Sequence, residues 1–240
     1  MSMSKYVALL LAAGMTAFAT TTSYAEDSPH EFSANVTIAT DYRFRGISQT
    51  DNSPTIQGGF DYAYAPLGVY LGAWASNVDF AESTEFDFYA GIAGEVNGIG
   101  WDVGGLYYAY PGDSTKPELD YFEVYGSLSY DFGMFDVAAG VAYSPDFFAE
   151  TGDAVYVYGD VSIPLPHGFS ISGHVGNQSI DDNVVFDTPD YTDWIIGVSK
   201  DIGKFAFNLS YVDTDLTKAE CFSGSDLCDG TVVFSVSGSF

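Results

Sequence analysis

The sequence predicts an all-β protein, a transmembrane antiparallel up-and-down β-barrel of about 12 strands that follows an N-terminal signal peptide. Three observations predict this fold class. The chain opens with an export signal, its apolar residues alternate with polar ones to the last residue, and its connections are alternately short and long. Bacterial outer-membrane barrels share these features, because tight turns join their strands at one end and long loops join them at the other.

The export signal occupies residues 1–25. It carries one cation at Lys5, an apolar run from Tyr6 to Ala19, and a small-x-small cleavage site at Ser23-Tyr24-Ala25. The apolar run is shorter than the roughly 20 residues that a membrane-spanning helix needs. We therefore expect export and cleavage, with residues 26–240 forming a single outer-membrane β-barrel domain.

The first strand is predicted from Phe32 to Arg45, with Phe32 and Phe44 on its apolar face and Arg43 and Arg45 on its polar face. Eleven further segments alternate in the same way, and their typical length of about nine or ten residues suits a tilted transmembrane strand. These segments are 56–64, 69–76, 85–96, 101–110, 121–130, 135–143, 154–163, 169–176, 192–199, 205–212 and 231–240.

Alternate connections are short and end in glycine, which supplies the positive φ that tight hairpins need. The intervening connections, such as 177–191 and 213–230, are longer and rich in Asp, Ser, Thr and Gly. An even number of strands then places both termini at the periplasmic end and every long loop outside the cell. The turn glycines recur at intervals of 32, 33, 35 and 35 residues and are Gly68, Gly100, Gly133, Gly168 and Gly203.

A soluble barrel or sandwich would show the same alternation with its apolar side turned inward. The export signal, the strand length, the loop asymmetry and the tyrosines near strand ends favour the membrane, because aromatic girdles mark both membrane interfaces. The chain ends at Phe240, in register with Phe234 and Val236. A terminal phenylalanine in that register resembles the assembly signal of outer-membrane barrels. We therefore expect outer-membrane lipid and the barrel assembly machinery as partners.

The chain is strongly acidic, with 7 Lys and Arg against 33 Asp and Glu and a formal net charge of −26. This charge disfavours nucleic acid and favours small cations as partners. If the apolar face meets lipid, the opposite face lines the lumen. The predicted pore-lining residues are Asp41, Arg43, Arg45, Asp61, Glu85, Asp87, Glu95, Asp102, Glu123, Asp136 and Asp160, with Asp193 as a further candidate.

A water-filled lumen with this lining would concentrate cations and repel anions. Alternatively, the carboxylates pair with the arginines, tyrosines and ordered water in a lumen too crowded to conduct. Eight-stranded barrels are filled by side chains and barrels of 16 to 18 strands leave an open channel, so about twelve strands lie between these cases. We predict a narrow pore.

Cys221 and Cys228 are the only cysteines, and in an exported chain we expect this close pair to form a disulfide. The triplet Asp213-Thr214-Asp215 is only a weak indication of a calcium-binding site, because no full ligand loop surrounds it. We expect acidic outer loops to be solvated, and we predict no metal site and no cofactor.

No catalytic residue is predicted. Ser172 and His174 share one face of a strand, but same-face neighbours two residues apart lie about 7 Å from each other, too far for a direct Ser-His hydrogen bond. Both are predicted to line the lumen. Close acids such as Glu85 and Asp87 arise by chance in so acidic a chain, so we expect no enzyme.

Three stretches carry a family resemblance: DYRFRGISQTDNSPTIQGGFDY at 41–62, SNVDF at 76–80, and PELDYFEVYGSLSYDFG at 117–133. They resemble the TorF family of porin-like proteins, and the resemblance covers essentially the whole mature chain. It implies an outer-membrane diffusion channel and carries over no catalytic or ligand residues. We thus predict passive diffusion of small solutes, with a preference for cations or small polar solutes. The alternative is a non-conducting barrel whose acidic outer loops bind a surface partner or divalent cations.

Overall fold

The structure is a computed structural model that describes residues 28–80, 84–112 and 117–240. The predicted signal peptide and its cleavage site lie outside the described residues. The described residues are almost entirely β-sheet, with a short helix, α1, at Asn183–Phe186. The strands are β1 His30–Ala39, β2 Arg43–Phe44, β3 Ile47–Ser48, β4 Thr55–Tyr64, β5 Val69–Asn77, β6 Thr84–Val96, β7 Ile99–Ala109, β8 Tyr121–Asp131, β9 Asp136–Ser144, β10 Ala154–Leu165, β11 Phe169–Ile180, β12 Tyr191–Ile202, β13 Phe205–Thr214 and β14 Thr231–Ser239.

Twelve of these strands form a closed antiparallel barrel in which sequence neighbours pair and β1 also pairs with β14. The backbone nitrogens of Ala34 and Phe240 each donate to the other residue's carbonyl oxygen, at 3.0 and 2.9 Å. Closure leaves no free sheet edge at this seam. The predicted up-and-down barrel is therefore confirmed. Within the described residues, none of the helices has the length and apolarity needed to cross a membrane.

The short connections all lie at the end of the barrel that holds His30 and Phe240, which we call the turn end, and the long connections lie at the opposite, loop end. Asn97-Gly98 joins β6 to β7 with φ of 56° and 84°, the conformation of a type I′ hairpin. Gly100, predicted as part of this turn, instead lies within β7 and pairs with Glu95, because the turn needs only two residues. The other predicted turn glycines have positive φ and are Gly68, Gly133, Gly168 and Gly203.

The outward face of the barrel is apolar and exposed, as Phe32 at 78% and Phe60 at 74% illustrate. Because side chains alternate along each strand, the intervening positions point into the lumen, and most of these are polar or aromatic. An outward apolar band around a closed barrel is the surface that lipid requires. The protein is thus a transmembrane barrel of the bacterial outer membrane, whose turn end by general rule faces the periplasm.

The first strand is shorter than its alternation predicted. β1 ends at Ala39, so Arg43 and Arg45 do not lie on it. The carboxylate of Asp41 accepts hydrogen bonds from three side chains of the same connection. Such local side-chain bonds favour a compact turn over an extended ladder. The prediction of a strand through Arg45 was wrong, and the period-2 pattern of residues 40–45 is coincidental.

Candidate channel interior

The connection between β1 and β4, residues 40–54, folds into the barrel, and we call it the inward loop. Its strands β2 and β3 form a hairpin with Arg45-Gly46 at the tip, where φ is 47° and 83°. A Cβ on Gly46 would lie 2.8 Å from the Cβ of Asp193 on the barrel wall, so only glycine fits. Arg45 is 2% exposed, which shows that the tip is shielded from water.

Arg45 connects the hairpin tip to three strands of the wall. Its Nη2 donates to both carboxylate oxygens of Glu123 on β8, at 2.7 and 2.8 Å. Its Nη1 donates to Oε1 of Gln178 on β11 at 2.5 Å, and its guanidinium carbon lies 4.3 Å from the ring centre of Tyr156 on β10. Donation by Nη1 and Nη2 to two different residues, together with ring stacking, uses the planar fork of arginine, which lysine lacks. Arg45 therefore holds the inward loop in the lumen.

Arg43 connects the inward loop to the last long connection, residues 215–230. Its Nη1 donates to the carbonyl oxygens of Gly46, Leu227 and Asp229 at 3.1, 2.7 and 3.2 Å. Its Nε donates to Oδ2 of Asp41 at 2.5 Å. Arg43 and Asp41 thus connect the inward loop to the last long connection, and they do not line a water-filled lumen.

Around the hairpin, the loop-end half of the lumen is packed with aromatic and carboxylate side chains. Tyr42 and Tyr110 donate to the two carboxylate oxygens of Glu85 at 2.7 and 2.8 Å. Asp87, the next lumen-facing position of β6, is 6% exposed, and its Oδ1 has no hydrogen-bond partner among the described residues. In this conformation side chains fill this half of the lumen. Its buried aromatic residues also include Trp74, Tyr108, Tyr121 and Phe147.

A polar chain runs along the wall below Arg45. The hydroxyl of Tyr156 donates to Oδ1 of Asp193 at 2.8 Å and lies 2.7 Å from Nε2 of His174. Nδ1 of His174 lies 2.7 Å from Oδ1 of Asp160. Ser172 also faces the lumen, on the same strand as His174, but the imidazole is engaged by Tyr156 and the two carboxylates. These contacts give His174 a place in the lumen lining.

The turn-end half of the lumen is more open and contains four half-buried tyrosines, Tyr70, Tyr89, Tyr125 and Tyr158. Tyr89 donates to Asp61, and Tyr70 donates to Oδ1 of Asp102 at 2.6 Å. The hydroxyls of Tyr70 and Tyr125 lie 2.6 Å apart. We call these four tyrosines, together with Asp61, Asp102 and Asp160, the tyrosine vestibule.

Each tyrosine of the vestibule lies directly opposite a glycine on the neighbouring strand. The pairs are Tyr70 with Gly91, Tyr89 with Gly72, Tyr125 with Gly104, and Tyr158 with Gly140. A Cβ built on any of these glycines would overlap the paired ring, so each ring lies flat over the missing side chain. One face of the ring covers the wall, and the other faces the lumen.

The opposite wall of the turn-end half is lined by small hydroxyl side chains, and we call it the serine wall. Thr37 and Ser237 are hydrogen bonded at 2.8 Å, and Ser170 and Ser199 at 2.7 Å. Ser210 on β13 lies on the same side. Small side chains occupy little of the lumen, so free cross-section is concentrated between the serine wall and the tyrosine vestibule.

The predicted pore-lining residues thus fall into five groups. Asp41, Arg43 and Arg45 lie in the inward loop, and Glu123, Glu85 and Asp87 surround it. Asp61, Asp102 and Asp160 face the vestibule, and Asp193 lies in the polar chain below Arg45. Glu95 and Asp136 are exposed near the turn end. The sequence reasoning did not single out Gln178 or the tyrosine-glycine pairs, because their roles depend on strand register.

The last long connection contains a disulfide between Cys221 and Cys228, with Cα atoms 6.0 Å apart. In the connection before β12, Asp190 accepts hydrogen bonds from the Ile180 backbone and from Ser179. Partial burial raises the pKa of Asp190, but these hydrogen bonds outweigh it and hold the pKa below its ordinary value. The outer connections are therefore ordered by local side-chain contacts.

Solved barrels share this architecture at low sequence identity. A structure of the NanC porin aligns with a TM-score of 0.60 and 10% identity, covering 85% of this chain and 98% of that one. LpxR from Salmonella typhimurium aligns with a TM-score of 0.50 and 10% identity, covering 87% of this chain and 99% of that one. At this identity the likeness concerns the fold. No curated protein matches the sequence.

A family model described as "Bacterial protein of unknown function (Gcw_chp)" matches residues 23–240, which include every strand of the barrel and the inward loop. The chain belongs to this Gcw_chp family of bacterial proteins.

Proposed function

We propose that the protein is an outer-membrane channel for passive diffusion of small solutes, that it prefers cations, and that the inward loop closes it in the conformation described here. The charge of the lumen carries this proposal. Carboxylates face the lumen from Glu85 near the loop end to Glu95 near the turn end, whereas Arg43 and Arg45 are already paired with carboxylates or carbonyl oxygens. The remaining negative potential attracts cations and repels anions.

The barrel size and the resemblance to TorF porins support the same function. A twelve-stranded barrel has room for a narrow channel when its interior is not filled. The vestibule and the serine wall line such a space over the turn-end half. The inward loop then decides whether this space continues to the loop end.

One observation favours a second candidate, a barrel that does not conduct. The loop-end half of the lumen is packed as closely as a protein core around Arg45, Glu123 and Tyr156. A permanent plug of this kind would leave the vestibule as a blind pocket and the acidic outer loops as the exposed surface.

Removing the hairpin separates these candidates. The backbone nitrogen of Gln49 donates to the carbonyl oxygen of Tyr42 at 2.8 Å, so these residues already lie side by side. Replacing residues 43–48 with Asn-Gly would join them through a two-residue turn, the connection that type I′ hairpins use. The variant therefore needs no change in the barrel strands.

Single-channel recording in planar bilayers provides the test. We expect small or infrequent cation-selective currents from the wild type and larger, cation-selective currents from the variant with the shortened loop. As a control, Lys218→Met removes a charge from the last long connection without touching the lumen. Absence of current from the shortened variant, with an intact barrel, would reject the channel and favour the plugged barrel. Anion selectivity would reject the cation preference.

A further inference from the structure

The tyrosine vestibule combines two features that suit one class of ligand. Asp61 and Asp102 accept hydrogen bonds from the uncharged hydroxyls of Tyr89 and Tyr70, so their negative charges are not neutralised by these partners. Beside them, the tyrosine rings lie flat on the wall and present one face to the lumen. Carboxylates bind ammonium groups, and ring faces bind both cations and the methylene groups next to them.

A buried carboxylate oxygen above the vestibule also lacks a hydrogen-bond partner among the described residues. Asp193 has no exposed surface, and its Oδ2 has no hydrogen-bond partner among the described residues. Nε2 of His174 lies 3.4 Å from this oxygen, and Oδ2 of Asp160 also lacks a hydrogen-bond partner among the described residues. The wall therefore holds more acceptor oxygens than its own residues satisfy, and these oxygens add to the negative potential that the vestibule presents to a cationic ligand.

The alternative ligands fit less well. A neutral sugar would pack on the tyrosine faces but would leave the carboxylates without a counter-charge. An inorganic cation would neutralise the carboxylates but has no methylene groups to pack against the flat rings over Gly72 and Gly140. A ligand with both an ammonium group and an aliphatic chain uses both features.

We propose that the tyrosine vestibule binds aliphatic ammonium compounds, with ammonium groups at Asp61 and Asp102 and methylene groups against the faces of Tyr89 and Tyr158. The inference deepens the proposed channel function by naming its solute class. Asp61 and Asp102 are only half-buried with the inward loop in place, so binding does not require the loop to move. Binding and conduction can therefore succeed or fail separately.

The test uses the refolded full barrel in detergent and isothermal titration calorimetry. The probe is 1,4-diaminobutane, and 1,4-butanediol has the same carbon chain without charge. Potassium chloride tests simple charge neutralisation. We expect saturable diamine binding at least about tenfold tighter than potassium binding and no saturable binding of the diol.

Single substitutions test the carboxylates and the tyrosine rings of the site separately. Asp102→Asn should weaken diamine binding about tenfold because it removes a carboxylate while keeping a similar shape. Tyr158→Leu should weaken it about two- to fivefold, whereas Tyr158→Phe keeps the ring face and should bind like the wild type. Ser210→Ala on the serine wall is the matched control and should change nothing.

Three results would overturn the proposal: no saturable diamine binding below about 10 mM, binding of the diol as tight as that of the diamine, or wild-type binding by both Asp102→Asn and Tyr158→Leu. Diamine binding by a barrel that never conducts would support the vestibule site and count against the channel. Conduction without diamine binding would support the channel and count against the vestibule site.

Discussion

The clearest prediction concerns Arg45, the residue that fixes the inward loop to the wall. Arg45→Met keeps an unbranched, flexible side chain but removes the guanidinium group and leaves the carboxylate of Glu123, 3% exposed, without its charged partner. Removing one partner of a buried ion pair costs about 3–5 kcal/mol. The barrel strands keep their own hydrogen bonds, so we expect this cost to appear as opening of the inward loop rather than as unfolding of the barrel.

Hydrogen exchange at the backbone amide of Ser48 reports this opening, because that amide donates to the carbonyl oxygen of Leu227 at 2.9 Å across the two loops. A cost of about 3–5 kcal/mol predicts exchange about 100- to 4000-fold faster in Arg45→Met. The double variant Arg45→Met with Glu123→Leu should recover most of the protection, since no buried charge is left without a partner.

The outcome is decided by comparison with Lys218→Met, which removes an exposed charge from the last long connection. Exchange in Arg45→Met within about tenfold of this control would refute the conclusion that Arg45 holds the loop. Exchange in the double variant as fast as in Arg45→Met would show that the packing of the guanidinium, and not the lone carboxylate, determines the cost. Amides of the barrel strands should keep wild-type protection in all four proteins.

Two further predictions concern the wall and the last loop. Gly140→Ala should displace the ring of Tyr158 into the lumen and destabilise the barrel by about 1–3 kcal/mol in urea unfolding. As a control, Gly126→Ala should be close to neutral, because its Cβ would lie 3.6 Å from its nearest neighbour. Equal effects of the two substitutions would disprove the packing argument. Replacing Cys221 and Cys228 by Ser should leave the heat-dependent gel shift of the folded barrel intact. Hydrogen exchange of backbone amides should become faster only in the outer loops. Loss of the gel shift would show that the disulfide is needed for the barrel itself.

The strands were predictable because lipid on one side and polar groups on the other impose a period of two on every strand. The inward loop was not predictable, because residues 40–45 continue this alternation by coincidence. Their position inside the barrel depends on contacts with residues far along the chain. Glu123 and Gln178 are ordinary lumen-facing positions until Arg45 reaches them. The pairing of Tyr158 with Gly140 likewise depends on register between β9 and β10, which the sequence of either strand alone does not determine.

The contacts of the inward loop also determine when it can close during assembly. Arg45 pairs with Glu123 and Gln178, which follow it by 78 and 133 residues, and Arg43 donates to Leu227, 184 residues later. Contacts between such distant segments form only after the intervening chain is in place. The inward loop is the first connection to be synthesised, yet its docking must wait for the final hairpin. Until then the hairpin of β2 and β3 is absent from the interior of the nascent barrel. We therefore expect docking of this hairpin to be the last step of folding.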